Sequence, residues 1–229
     1  MQERKKITGT PVSRIDGILK VTGKADYSTD HPVKNVAYAV LFKSTIAAGS
    51  IASIDVAEAE KAPGVLTIIT HVNAPKLNVK GGIRGGAMLQ SSTIEFYGQH
   101  IGLVVAETFE QARHASHLVK VTYTKSTPNV DFEKLAKQAV PAKDPKEEKR
   151  GDTQTALNAA DYKVEEVYAT PIEHHHPLEP HATIAEWNGD RLTLYNSAQI
   201  VNGAQSAAAK TLNISTDQVR IVTPYIGGG

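Results

Sequence analysis

The apolar positions of this chain fall into short runs parted by polar turn residues. Residues 36–43 form an apolar run of the length of a buried strand, and after a turn at 47–50 a second strand is predicted over 51–55. Residues 56–61 make one or two helical turns, stopped by Pro63-Gly64, and the β-branched stretch 65–70 reads as a strand. A buried strand is predicted over 101–107. Thr108 then caps a helix running through Leu118, with Phe109, Ala112, Ala115 and Leu118 at helical spacing, and 119–124 returns as a strand. Strand, helix, strand twice over predicts an α+β or α/β unit with a small sheet.

The flanks are less regular. The first 36 residues are polar and glycine-dotted and read as an extended leading segment, and residues 71–97, with Gly81-Gly82-Ile83-Arg84-Gly85-Gly86, read as a long loop. A linker containing Pro128, Pro141, Pro145 and the run Lys146-Glu147-Glu148-Lys149-Arg150 marks the domain boundary. Residues 1–130 are therefore expected to hold the leading segment and the first domain, and 131–229 the linker and the start of a second. In that second part Asp152 caps a short helix through Ala160, and 162–170 alternates like an edge or half-buried strand. The strands 182–187 and 191–196 flank the hairpin signal Asn188-Gly189-Asp190. Asn202 or Ser206 opens an alanine-rich helix to Leu212, and 218–224 is a final strand running into Gly227-Gly228-Gly229.

Composition narrows the function. With 25 basic and 24 acidic side chains the net charge is +1, so no bulk field draws the chain to nucleic acid or to an anionic membrane. The absence of cysteine excludes disulfides, thiolate zinc sites and iron–sulfur clusters held by this chain alone. The N-terminus has no apolar core of a secretory signal, and the apolar runs are too short to span a bilayer. The expectation is a soluble chain, cytoplasmic unless a signal-bearing partner carries it to the periplasm.

Three features bear on chemistry. A glycine run after a strand lets backbone amides approach an anionic or metal-bound oxygen with no Cβ in the way, although on the glycines alone a frayed, flexible tail is the commoner reading. Glu173-His174-His175-His176 with Glu179 and His181 invites a metal reading, but consecutive histidines on an extended strand point to opposite faces. At most two could share an ion, so packing or hydrogen bonding is the expected role and no metal-ligand set is assigned. Gly81-Gly82-Ile83-Arg84-Gly85-Gly86 lacks the lysine and hydroxyl of a phosphate-binding loop, and nothing resembles a nucleophile elbow.

Read together, Arg14-Ile15-Asp16-Gly17, Lys20-Val21-Thr22-Gly23-Lys24-Ala25, Lys61-Ala62-Pro63-Gly64-Val65, Leu103-Val104-Val105-Ala106-Glu107-Thr108, Leu178-Glu179-Pro180-His181-Ala182 and Tyr225-Ile226-Gly227-Gly228-Gly229 resemble the successive signatures of the molybdenum-binding large subunits of the xanthine dehydrogenase and aldehyde oxidoreductase (molybdenum hydroxylase) family. The likeness runs over nearly all of this chain and about the first third of such a subunit. In detail it resembles the bacterial aldehyde oxidoreductases of the periplasmic type. The resemblance implies an α/β hammerhead domain over about residues 20–125, followed by the first part of a molybdenum cofactor-binding α+β domain.

It also implies a cofactor and partners. The cofactor is molybdenum–molybdopterin, in the cytosine dinucleotide form, and 2Fe-2S clusters and FAD lie on separate iron–sulfur and flavin subunits. The reaction is oxidation of aldehydes or aromatic heterocycles with water as the oxygen source. Gln199 matches the family glutamine whose amide hydrogen-bonds the apical molybdenum ligand, a role that suits a neutral donor. Gly227, Gly228 and Gly229 match the start of the glycine loop that continues in the family as Phe-Gly-Gly-Lys. The sequence stops one residue short of that phenylalanine, and the family's catalytic glutamate lies far beyond it. No catalytic residue is expected in this chain, which is expected to be inactive without the remainder of the molybdenum-binding subunit. The alternative is a stand-alone, non-enzymatic hammerhead-like module for assembly or binding.

Overall fold

The computed structural model describes residues 8–77, 88–140 and 150–226. The Gly81 to Gly86 stretch, most of the linker charge run, and Gly227, Gly228 and Gly229 lie outside the described residues. The chain divides into two compact units, Met1–Pro128 with His176–Gly229, and Asn129–His175.

In the first unit the leading segment is not wholly extended as expected. Helix α1 (Gly17–Val21) forms there, with Asp16 and Lys20 paired one turn apart and the Thr22 hydroxyl donating to Ile18 O. Five residues are too few for a periodic signal, so the pattern of apolar positions does not register it. Strands β1 (Tyr38–Lys43) and β2 (Gly49–Asp55), helix α2 (Ala57–Glu60) and strand β3 (Val65–Thr70) follow as predicted. Within the expected long loop a two-residue strand, β4 (Thr93–Ile94), pairs with Gly49 and Ser50 and buries Ile94. Next come β5 (His100–Ala106), α3 (Phe109–Leu118) and β6 (Lys120–Lys125). Thr108 caps α3 in a reciprocal box, its hydroxyl accepting from Gln111 N while the Gln111 side chain accepts from Thr108 N.

Two antiparallel three-stranded sheets result, in the orders β1-β5-β3 and β4-β2-β6. One apolar cluster gathers Ile46, Ile51, Ile94 and Ile101; the other gathers Ala59, Ile68, Val104 and Ala115. Phe42 packs against both. The buried face of α3 is narrower than its spacing predicted. Phe109, in the first turn, is about half exposed, and the fully buried positions are Ala112 and Ala115, whose small side chains let the helix lie close to the sheet.

The remainder of this unit is a third sheet, reached after α4 (Phe132–Ala136) and α5 (Thr153–Ala159) of the second unit. Strands β7 (Ile184–Asn188) and β8 (Arg191–Tyr195) form the predicted hairpin, with Asn188 opposite Arg191 and Gly189 in the left-handed region at φ 61°. Gly189-Asp190 is therefore the turn pair, and Asn188 belongs to the strand. Helix α6 (Val201–Leu212) starts after Ile200, without a side-chain cap, and not at Asn202 or Ser206. It packs on β9 (Val219–Val222), which runs parallel to β8, and Leu192, Ala209 and Val219 are buried between them.

In the second unit Asp152 caps α5 as expected, accepting from Gln154 N and Thr155 N. The predicted strand over 162–170 does not form. Tyr162, Val164, Val167 and Tyr168 are all exposed, because an alternating segment becomes a strand only against a ladder partner and an apolar layer. No described residue of this unit is buried. Among the described residues no helix is long and apolar enough to cross a membrane.

Gly102 faces Phe42 across the β1–β5 ladder, and a Cβ built there would lie 2.1 Å from Phe42 Cζ. Gly102→Ala should lower unfolding stability by about 1–3 kcal/mol through overpacking. Phe42→Leu in the same chain should recover part of that loss. Urea unfolding of the two single variants and the double variant measures both; strict additivity would show that Phe42 is not what the methyl group meets.

Candidate functional site

The sequence signatures that lie far apart in the chain converge where the leading segment meets the third sheet. Glu179 is at the centre. Its Oε1 accepts from Ser28 N at 2.8 Å and its Oε2 from Ser197 Oγ at 2.5 Å, while the Ser28 and Ser197 hydroxyls lie 3.2 Å apart. With the Ser197 proton committed to the carboxylate, Ser28 Oγ is the donor of that second pair. Partial burial works against the charged form of Glu179. The hydrogen bonds from the Ser197 hydroxyl and from the Ser28 backbone N–H outweigh it and hold the carboxyl below its ordinary value.

These contacts fix the loop that leaves β8. Asn196 N donates to Val222 O at 3.1 Å, Ser197 donates to Glu179, and Ala198 N donates to Thr223 Oγ1 at 3.3 Å. Three consecutive residues are thus tied, two to the end of β9 and one to Glu179. Gln199 comes next. It is exposed, and its side-chain amide has no hydrogen-bond partner among the described residues. The candidate glutamine is therefore held by its backbone neighbours while its own donor and acceptor stay free. Three buried polar atoms, Asn196 Oδ1, His31 Nε2 and His71 Nδ1, lack partners among the described residues, and the His31 ring lies 4.7 Å from that of Tyr195 at the end of β8.

A second tie reaches the approach to the glycine run. Lys20 Nζ donates to Ile226 O at 2.6 Å and lies 3.2 Å from Asp16, which also pairs with Arg14. The Arg14 guanidinium, helped by Lys20, lowers the Asp16 carboxyl from 3.8 to about 2. The structure thereby joins Arg14-Ile15-Asp16-Gly17, Leu178-Glu179-Pro180 and Pro224-Tyr225-Ile226, and sets Gln199 on the loop beside them. Ser28 and Ser197 were not singled out by sequence. A lone serine carries no pattern, and only its distance to Glu179 reveals its part. Among the described residues no three His, Cys, Asp or Glu side chains are grouped to hold a metal ion, and Glu179 serves instead as a hydrogen-bond acceptor.

Because the Asp16 value is depressed in the folded chain, its ion pairs act fully above pH 3.8 and are lost as the pH falls through about 2. At neutral pH, Asp16→Asn and Lys20→Met should each raise amide exchange in residues 223–226 by about two- to fivefold, the scale of a solvent-exposed pair. Hydrogen exchange read by mass spectrometry tests this, and unchanged exchange in Lys20→Met would remove Lys20 as an anchor.

Comparison with known proteins accounts for the convergence. Residues 22–127 match the family described as aldehyde oxidase and xanthine dehydrogenase, a/b hammerhead domain, and residues 135–229 match the molybdopterin cofactor-binding domain. The chain is 44% identical over 230 aligned residues to the aldehyde oxidoreductase molybdenum-binding subunit PaoC of Escherichia coli (strain K12), covering 98% of this chain and 31% of that protein. It is 28% identical to the xanthine dehydrogenase/oxidase of Gallus gallus, covering 96% of this chain and 16% of that one. Among solved structures, quinoline 2-oxidoreductase from Pseudomonas putida 86 superposes with a TM-score of 0.77 at 21% identity, over 99% of this chain and 31% of that chain. The aldehyde oxidoreductase from Desulfovibrio gigas gives 0.68 at 23% identity, over 92% and 26%. These two likenesses show the fold. The chain spans less than a third of the length of the curated relatives it matches, and its hammerhead domain, its cofactor-binding region and the order of the two make it a member of the aldehyde oxidase and xanthine dehydrogenase family.

Proposed function

We propose that this chain is the N-terminal part of the molybdopterin-binding subunit of a molybdenum hydroxylase that oxidises aldehydes, or aromatic heterocycles, with water as the oxygen source. The observation that carries the reading is Gln199: an exposed amide without a hydrogen-bond partner among the described residues, next to three consecutive tied residues, inside the stretch that matches a molybdopterin cofactor-binding domain. A neutral amide donates to an oxygen ligand without adding charge beside a redox-active metal.

In this reading Gln199 and the backbone of Gly227, Gly228 and Gly229 hold the molybdenum–molybdopterin, in the cytosine dinucleotide form. The group when bound supplies the redox chemistry, and this chain orients it and shapes one wall of its site. Electrons leave to 2Fe-2S and FAD partner subunits, in keeping with a chain that has no cysteine. The division into a leading segment with hammerhead domain and a cofactor-binding region is placed at residues 130 and 131. The location is cytoplasmic unless a signal-bearing partner exports the complex. The exposed apolar side chains of residues 162–172, together with Trp187 and Leu178, support burial against the remainder of the subunit or a partner.

Two variants of the complete subunit test this function. Gln199→Ala should lower aldehyde turnover by roughly 10–100-fold, the usual effect of losing such a supporting hydrogen bond, with little change in the unfolding midpoint. Full turnover at normal molybdenum content would remove Gln199 from the site. Gly229→Val should reduce molybdenum per polypeptide, because a branched side chain keeps the backbone from the cofactor and a shift of about 1 Å at a positioned centre costs on the order of a hundredfold. Elemental analysis measures it, and retention of both metal and activity would make the run an ordinary tail.

A further inference from the structure

We propose that Glu179 is a positioning residue for Gln199, and that Ser28 recruits the N-terminal segment to the same task. This rests on the cofactor-binding reading of Gln199 and adds a distinct claim about how that amide is aimed.

The geometry supports a specific division of labour. Gln199 is not restrained by its own side chain, so its direction depends on the backbone of residues 196–198. Two of the three ties on that backbone go to β9 and its extension, which themselves pair with β8. They move with the sheet. Ser197 is the position of the three that refers the loop to a different part of the chain: it donates to Glu179, and its hydroxyl also accepts from that of Ser28. Glu179 in turn is held by Ser28, a buried residue of the 3-10 turn Ser28–Asp30 in the leading segment.

A carboxylate suits this place, since each oxygen has a separate donor to satisfy and neither needs to donate back. A glutamine there presents an amide NH2 to one of those donors, Ser28 N or Ser197 Oγ. It must either lose that bond or turn away. The loop then keeps its sheet ties and the weaker Ser28–Ser197 hydroxyl contact but loses its charged point of reference, which is a loss of aim with little loss of fold. Such an effect differs from that of Gln199→Ala, which deletes the amide and leaves the loop in place.

The test uses the full chain and the complete subunit. In the full chain, Glu179→Gln should raise amide exchange of residues 196–199 about tenfold and leave 101–106 unchanged. Ser197→Ala should do the same, and Ser197→Thr, which keeps a hydroxyl, should restore the slow exchange. In the complete subunit, Glu179→Gln should reduce molybdenum per polypeptide and kcat, and the double variant with Gln199→Ala should be no worse than Gln199→Ala alone. That non-additivity is the reading a merely structural role does not produce. Unchanged loop exchange in Glu179→Gln overturns the proposal, as do fully additive losses. If Gln199→Ala lowers molybdenum content and Glu179→Gln does not, the proposal fails while the cofactor reading of Gln199 stands. If Gln199→Ala is silent and Glu179→Gln lowers the content, Glu179 acts by another route, and both claims about this pair fail.

Discussion

The lateral contact of one aromatic ring with a residue that has no side chain organises the N-terminal domain. Phe42 lies over Gly102 on the neighbouring strand and packs against both apolar clusters, so the two small sheets share a single hinge of buried surface. Any Cβ at position 102 would occupy the space of the ring. Because interiors are packed to crystal-like density, that space cannot be given up without moving β1 or β5. The ladder also changes register between Phe42 and Lys43, which turns the chain toward Ser44, whose buried hydroxyl bonds Ile46 at both O and N.

The candidate site is organised by different physics. Its elements are polar and lie where the leading segment, the approach to β7 and the ends of β8 and β9 meet, and they are joined by charge-assisted hydrogen bonds rather than by a core. Glu179 and Asp16 are both held below their ordinary carboxylate values, the first by hydroxyl and backbone donors working against partial burial, the second by Arg14 and Lys20. Contacts of this kind contribute little to stability at an exposed surface, and what they supply is direction. These bonds lie beside the loop that carries Gln199, whereas the two apolar clusters lie in the other sheets.

The unit over residues 129–175 shows what happens when pattern is present without partners. Its alternating residues have the composition of a strand, and its helices have proper caps, yet none of its described residues is buried. Capping and alternation are worth on the order of 1 kcal/mol each, far below the entropy of ordering such a length of chain. A segment of this kind gains burial only where other polypeptide packs against it.

Periodicity alone determined most of the regular structure: β1 to β3, α3 with its Thr108 cap, β5, β6 and the hairpin were legible because each buries one face or closes on a turn residue with a fixed demand. The family was legible too, because six short motifs keep their order across the chain. Elements too short to repeat their own period, α1 and β4, left no signal, and the start of α6 was misplaced because Ile200 provides no side-chain cap. The strand expected at 162–170 failed for the opposite reason, since its pattern was sound and its partner was missing. For the candidate site, the family resemblance proposes Gln199, but the contacts that tie its neighbours could not be read from the sequence. Ser28, Glu179 and Ser197 are separated by 151 and 18 residues along the chain, and a hydrogen bond depends on distance and angle, which only the folded backbone assigns.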